Sequence, residues 1–234
     1  MPDTLPLHAV HAEPRTPSGA PPLLILFHGF GSHELDLFAL KDHLDPRCRI
    51  VSARAPLDLA PAGMPGGYAW FELIFRPEGI DYDRDSADRG AELAGEFVRS
   101  AIEHFETPPE RTFLCGFSQG AMMCHAIALA PAHAGGAARL GGIAALSGRA
   151  VDAVFTPDRD WRGLDGFPVF VAHGVHDDVI PIARGGRAIR DYYAGSPVEL
   201  TYHEYDAAHT IPPDNLADLA AWLTAQIDTL TDPA

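Results

Sequence analysis

Apolar residues along this chain gather in short unbroken runs, separated by longer stretches with the periodicity of helices. Residues 23–27 (LLILF), entered through Pro21 and Pro22 and left through His28 and Gly29, contain no polar position. A continuous run of that length reads as a strand buried on both faces, as inside a parallel sheet. Comparable runs recur at 49–53 (RIVSA), 112–116 (TFLCG), 142–146 (GIAAL) and 168–172 (PVFVA), whereas 199–205 (ELTYHEY) alternates and so belongs nearer a sheet edge.

Helices are expected between these strands, at about 34–44, 84–105, 119–130, 182–194 and 213–230. Within 84–105, Ala87, Ala91, Ala94, Val98, Ile102 and Phe105 recur at the three- and four-residue steps of one helix face. Strand and helix take turns, which implies βαβ crossovers and a mostly parallel central sheet with helices on both faces. Residues 7–13 alternate and predict an antiparallel strand folding back on 23–27 through the turn TPSGAPP. Residues 56–77, rich in Pro, Gly and aromatics, form a long connection of the kind that more often carries function than not. Nothing resembling a repeat or linker interrupts the pattern, so residues 1–234 are expected to form one α/β domain.

Composition narrows the function. At 47% apolar and 21% charged residues the chain is an ordinary globular protein. Its net charge of −15, with scattered basic residues, disfavours nucleic acid and anionic membrane surfaces as partners. Cys48, Cys115 and Cys124 are odd in number and lack CxxC spacing, which fits reduced, buried thiols. The first residues lack a basic segment followed by an apolar one, and no apolar run nears the roughly 20 residues of a membrane span. A cytoplasmic protein without a membrane span is expected. A homodimer is compatible with this composition but is not legible in it.

The chemistry centres on Gly116-Phe117-Ser118-Gln119-Gly120, placed directly after an apolar strand and directly before a helical segment. In that setting GxSxG is a nucleophile elbow of the α/β-hydrolase fold: a strained turn lifts the Ser118 hydroxyl off the sheet. A serine hydroxyl needs a base, and in this fold the partners follow in the order Ser, Asp or Glu, His. His209, the last histidine, lies just after the last apolar strand and is the expected base. Asp177 or Asp178, after the strand at 168–172, would orient its imidazole. The oxyanion hole needs the N–H of Gln119 and one from His28-Gly29-Phe30-Gly31, for which Phe30 is the expected donor. His173 and His176 form an HxxH spacing next to these aspartates, but no further ligand is evident, so no metal and no organic cofactor is expected. Trp70 and Phe71, in the long connection, are candidates for a substrate-binding wall, with ordinary burial of the loop as the plainer reading.

With these motifs in hand, the sequence resembles the phospholipase/carboxylesterase family of α/β-hydrolases, which includes the acyl-protein thioesterases. The matching segments are residues 28–37 (HGFGSHELDL), 52–56 (SARAP), 66–71 (GGYAWF), 116–120 (GFSQG), 173–181 (HGVHDDVIP) and 209–211 (HTI). The resemblance implies hydrolysis of a small-molecule acyl ester or thioester without a cofactor. It also implies that Asp177 is the triad acid, because the family usually has Pro at the position of Asp178. Thioesterase-like members commonly carry Asp after the HGxG loop, where this chain has Ser32, and GSHELDL looks more like the bacterial carboxylesterase branch. The expected activity is therefore that of a serine carboxylesterase acting on short-to-medium acyl esters, with thioesterase or lysophospholipase activity on the same triad as the alternative. A non-catalytic binding protein would have no need of Ser, Asp and His in this order, and a dienelactone-type hydrolase would present Cys at Ser118.

Overall fold

All six of the runs above are strands of one sheet in the computed structural model, which describes residues 5–16, 19–76, 79–130 and 140–230. The first half of the chain gives β1 (Ala9–Ala12), β2 (Leu23–Phe27), α1 (Leu35–Phe38), β3 (Arg49–Ala53), β4 (Leu57–Asp58), β5 (Tyr68–Ala69), β6 (Leu73–Arg76), β7 (Gly79–Tyr82) and α2 (Arg84–His104). The second half gives β8 (Thr112–Phe117), α3 (Gln119–Ala128), β9 (Gly142–Leu146), β10 (Pro168–Gly174), α4 (Gly186–Tyr193), β11 (Glu199–Tyr205) and α5 (Pro213–Asp228).

The seven-stranded sheet runs β1-β3-β2-β8-β9-β10-β11, and every neighbouring pair is parallel except β1 with β3. The expected hairpin of residues 7–13 with 23–27 is corrected here: β1 pairs with β3, Ala9 opposite Ala53. β2 has β3 on one side and β8 on the other, so it has no free ladder to offer. Pro17 and Ser18 of the intended turn lie outside the described residues. The alternating segment, β11, is indeed an edge strand.

Strand residues alternate between two apolar layers. Leu23, Ile25, Phe27, Leu114, Ile143 and Val169 pack toward α2, α3 and α4, while Leu24, Leu26, Phe113, Cys115 and Phe170 pack toward α1 and α5. Both faces are covered, which is why the central runs carry no polar side.

Helix α2 begins where the Asp83 side chain accepts the Ser86 N–H at 2.7 Å, a cap that satisfies one of its unpaired amides. Its buried line is Gly90, Ala94, Phe97, Val98 and Ala101, with the predicted Ala87, Ala91, Ile102 and Phe105 flanking it. The line is displaced because Gly90 lies against the loop at Trp70, where an added Cβ would come 2.3 Å from the Trp70 carbonyl oxygen. The helix expected at 34–44 divides into α1 and a tighter turn over Ala39–His43. The long connection is not irregular throughout: β4 pairs with β5, and β6 with β7, as two small antiparallel ladders apart from the main sheet.

Candidate active site

Strand β8 passes into α3 through Ser118, whose φ of 54° and ψ of −115° are rare for a residue with a side chain. Such a conformation costs on the order of 1–3 kcal/mol and persists only where the surroundings impose it. They do so by contact. A Cβ on Gly120 would lie 1.9 Å from the Phe27 carbonyl oxygen, and one on Gly116 2.2 Å from that of Gly120. The Ser118 N–H donates to the Leu146 carbonyl at 2.9 Å, tying the turn to β9. The two motif glycines therefore serve close backbone packing, and the turn leaves the hydroxyl at the carboxyl end of the sheet.

Two further loops at that end complete a chain of hydrogen bonds. His209 Nε2 is 3.0 Å from Ser118 Oγ, and His209 Nδ1 is 2.7 Å from Asp177 Oδ2. The loop after β11 can lie against β10 because Gly174 has no side chain; a Cβ there would come 2.3 Å from the Ala207 carbonyl oxygen. Asp177 is buried, and its other oxygen, Oδ1, accepts the N–H groups of Val179 at 3.0 Å and Ile180 at 2.7 Å. Asp178 is exposed. A carboxylate on Nδ1 holds the imidazole proton there and leaves Nε2 free to accept one from the serine hydroxyl.

The Phe30 N–H has no hydrogen-bond partner among the described residues, and the Gln119 N–H belongs to the first turn of α3, where a helix offers its amides no internal acceptor. His28 fixes the loop that carries Phe30. It is wholly buried, its Nδ1–H donates to the Gly29 carbonyl at 2.7 Å, and its Nε2 accepts the Ala55 N–H at 3.0 Å. Burial pushes its pKa down and so favours the neutral ring these bonds require.

Trp70 and Phe71 are only 1% and 0% exposed. The Trp70 indole N–H donates to the His28 carbonyl at 2.9 Å, and its ring meets Phe27 edge-on. The Gln119 side chain clamps the same segment: Oε1 accepts the Trp70 N–H at 2.9 Å and Nε2 donates to the Phe71 carbonyl at 2.8 Å. Both aromatics thus brace the long connection from within the core. The apolar side chain left open beside Phe30 is Phe75 on β6, 67% exposed, with ring centroids 6.3 Å apart. Sequence reasoning missed the Gln119 clamp, because nothing in GxSxG marks the direction of that side chain.

A second clamp joins the loops after β2 and β3. Arg54 donates through Nε and Nη2 to both oxygens of Glu34, at 2.7 and 2.6 Å. This fork-to-fork contact pulls the Glu34 carboxyl down to a pKa of about 2. His173 and His176, the HxxH pair, part company: His173 is buried, while His176 faces solvent and meets Asp206 at 2.7 Å. Among the described residues no three His, Cys, Asp or Glu groups stand together as metal ligands would.

A parallel sheet flanked by helices, a strained serine at a strand-helix turn, and Asp and His at the ends of later strands define an α/β-hydrolase. The chain belongs to the phospholipase/carboxylesterase family, whose model matches residues 9–227. It is accordingly a carboxylic ester hydrolase. An acyl-protein thioesterase 1 from Eremothecium gossypii is 26% identical over 220 residues, covering 87% of each chain. The crystal structure of esterase PE8 superposes with a TM-score of 0.75 at 28% identity, over 94% of this chain and 98% of that one. A Bacillus cereus carboxylesterase, at 19% identity and 94% coverage of both chains, shares the fold with a TM-score of 0.76. Among the described residues no helix is long and apolar enough to cross a membrane.

Proposed function

We propose that the protein is a serine carboxylesterase that hydrolyses short-to-medium acyl esters through Ser118, His209 and Asp177. The observation that carries this reading is the hydrogen-bond chain itself, 3.0 Å from Ser118 to His209 and 2.7 Å from His209 to Asp177. Ser118 Oγ attacks the ester carbonyl carbon as its proton passes to His209 Nε2. The carbonyl oxygen takes up the negative charge and is met by the N–H groups of Phe30 and Gln119. As the tetrahedral intermediate collapses, the leaving alcohol takes the proton from Nε2 and the acyl group stays on Ser118. Water then gives its proton to His209, attacks the acyl carbon and releases the acid, and Ser118 recovers its proton. Asp177 remains ionised throughout and stabilises the transient imidazolium.

Phe75, open beside Phe30, supports an apolar wall for the acyl chain, and the net charge of −15 disfavours anionic substrates. The similarity to an acyl-protein thioesterase supports a second substrate, since the same acyl-enzyme forms from a thioester. Three free, buried thiols, Cys48, Cys115 and Cys124, support a reducing, cytoplasmic setting. The test is labelling with a fluorophosphonate probe, followed by rates on nitrophenyl esters of rising chain length beside an acyl-CoA panel. Labelling is expected at Ser118 and absent from Ser118→Ala; labelling that survives that substitution overturns the assignment.

A further inference from the structure

We propose that His173 is a positioning residue for this reaction, a neutral imidazole held in one tautomer that anchors the Asp177 loop at Ile180, lies against Asp177 Oδ2 and so fixes the carboxylate in place. The inference rests on the triad reading above and deepens it.

His173 is the penultimate residue of β10, and its side chain has no solvent exposure. The Gly186 N–H, at the start of α4, donates to its Nδ1 at 3.2 Å, so the ring proton sits on Nε2. That N–H donates to the Ile180 carbonyl at 2.8 Å, and the same ring nitrogen lies 3.2 Å from Asp177 Oδ2. The same Oδ2 accepts from His209 Nδ1 at 2.7 Å, while Oδ1 is taken by the amides of Val179 and Ile180. Three N–H groups therefore hold the carboxylate, and His173 fastens the residue that supplies one of them, Ile180, by its carbonyl.

The ring is caged independently of those bonds. A Cβ on Gly185 would come 2.3 Å from His173 Cε1, and one on Gly186 2.7 Å from His173 Cβ, so the Gly185-Gly186 pair makes room for an imidazole. Burial pushes the His173 pKa down and keeps the ring neutral. A cation there would cancel the charge that Asp177 must lend to the imidazolium of His209. The titratable or charged groups around this corner are Asp177 from its loop, His209 from the loop after β11, Tyr202 and Glu204 on β11, and Arg187 of α4, which is paired with Glu204. Asp177 approaches the His173 ring nitrogen at 3.2 Å.

The N–H edge of His173 carries partial positive charge and, 3.2 Å from Oδ2, draws on the charge that Asp177 offers His209. Without the His173 N–H, Asp177 holds its charge nearer His209, favours the imidazolium and loosens in direction. The test compares wild type with His173→Phe, which keeps the ring shape, and His173→Gln, which restores an N–H donor. Using an activated acetate ester, we expect kcat/KM of His173→Phe to fall about three- to tenfold, the range of one neutral hydrogen bond. The loss should lie mainly in kcat, the acid limb of the pH profile should move to higher pH, and His173→Gln should recover both in part. A slower His173→Phe with an unmoved acid limb means a structural role only and overturns the proposal, as do unchanged rates in both variants.

Should neither variant fold, imidazole nitrogen resonances of the wild-type enzyme decide the matter. His173 is expected as the neutral Nε2–H tautomer near neutral pH; the other tautomer, or a cationic ring there, overturns it. Loss of Ser118-dependent fluorophosphonate labelling in wild type would instead sink the triad reading itself, which separates the two failures.

Discussion

Asp177 is buried with its Oδ2 2.7 Å from His209 Nδ1, while Asp178, the next residue, faces solvent. In the proposed mechanism only the first holds the imidazole in its working tautomer. Asp177→Asn should therefore lower kcat at least about a hundredfold, and Asp178→Asn should remain near wild type. Rates of both variants on one activated ester, with circular dichroism to verify folding, check this; a larger loss at Asp178 would reverse the roles.

Ser118→Ala should lose at least about a thousandfold in kcat with little change in melting temperature, since alanine inherits the same left-handed backbone. Ser118→Gly should be equally inactive yet more stable than Ser118→Ala by about 1 kcal/mol, because glycine tolerates a φ of 54°. Thermal melts of the two variants make the comparison. Equal stabilities would mean that the turn stores no strain.

The Arg54–Glu34 clamp makes a prediction about acid. The folded pKa of Glu34, drawn down by the Arg54 hydrogen bonds, is about 2 against an ordinary 4.5. A depressed carboxyl stabilises the fold fully above the ordinary value and loses that contribution as pH falls toward the folded one. The stability gap between wild type and Arg54→Ala should thus be constant above about pH 4.5 and close as pH drops toward 2. Urea unfolding at several pH values measures the gap; a gap that widens in acid would contradict the assignment.

Phe75 and Trp70 should separate wall from core. Phe75→Ala should raise KM for longer acyl chains more than for acetate, with little loss of stability, since the ring is mostly exposed. Trp70→Ala should destabilise the protein by about 3–5 kcal/mol and impair every substrate alike, as expected of a wholly buried aromatic. Chain-length series and chemical denaturation distinguish these outcomes.

The sheet was legible because strands covered on both faces read as nearly unbroken apolar runs: 23–27, 49–53 and 142–146 coincide with β2, β3 and β9 to the residue, Ser52 being a buried exception. The partner of β1 was not, since alternation reveals which residues face the core but not which ladder is vacant. Ser118, His209 and the Asp177–Asp178 pair could be read from motif and order, as each follows a recognisable strand. The inward turn of His173 could not be read from HxxH, nor the Gln119 clamp from GxSxG, because both depend on where distant backbone groups arrive. Trp70 and Phe75 lie in the same aromatic-rich loop, and only the fold reveals that one is sealed beneath it and the other stands open.

The β6–β7 ladder bonds within itself and adds no strand to the seven-stranded sheet. Its ties to the rest include the Phe75–Phe30 ring contact and the Arg149 guanidinium, which donates to the Ile80 carbonyl at 2.8 Å. Between Leu73 and Tyr82, which pack on the core at its base, an appendage attached in this way can be lengthened, shortened or exchanged without shifting the register that aligns Ser118 with His209. Chain-length preference could then be transplanted between relatives as a cassette of about ten residues, leaving the catalytic chassis as it is.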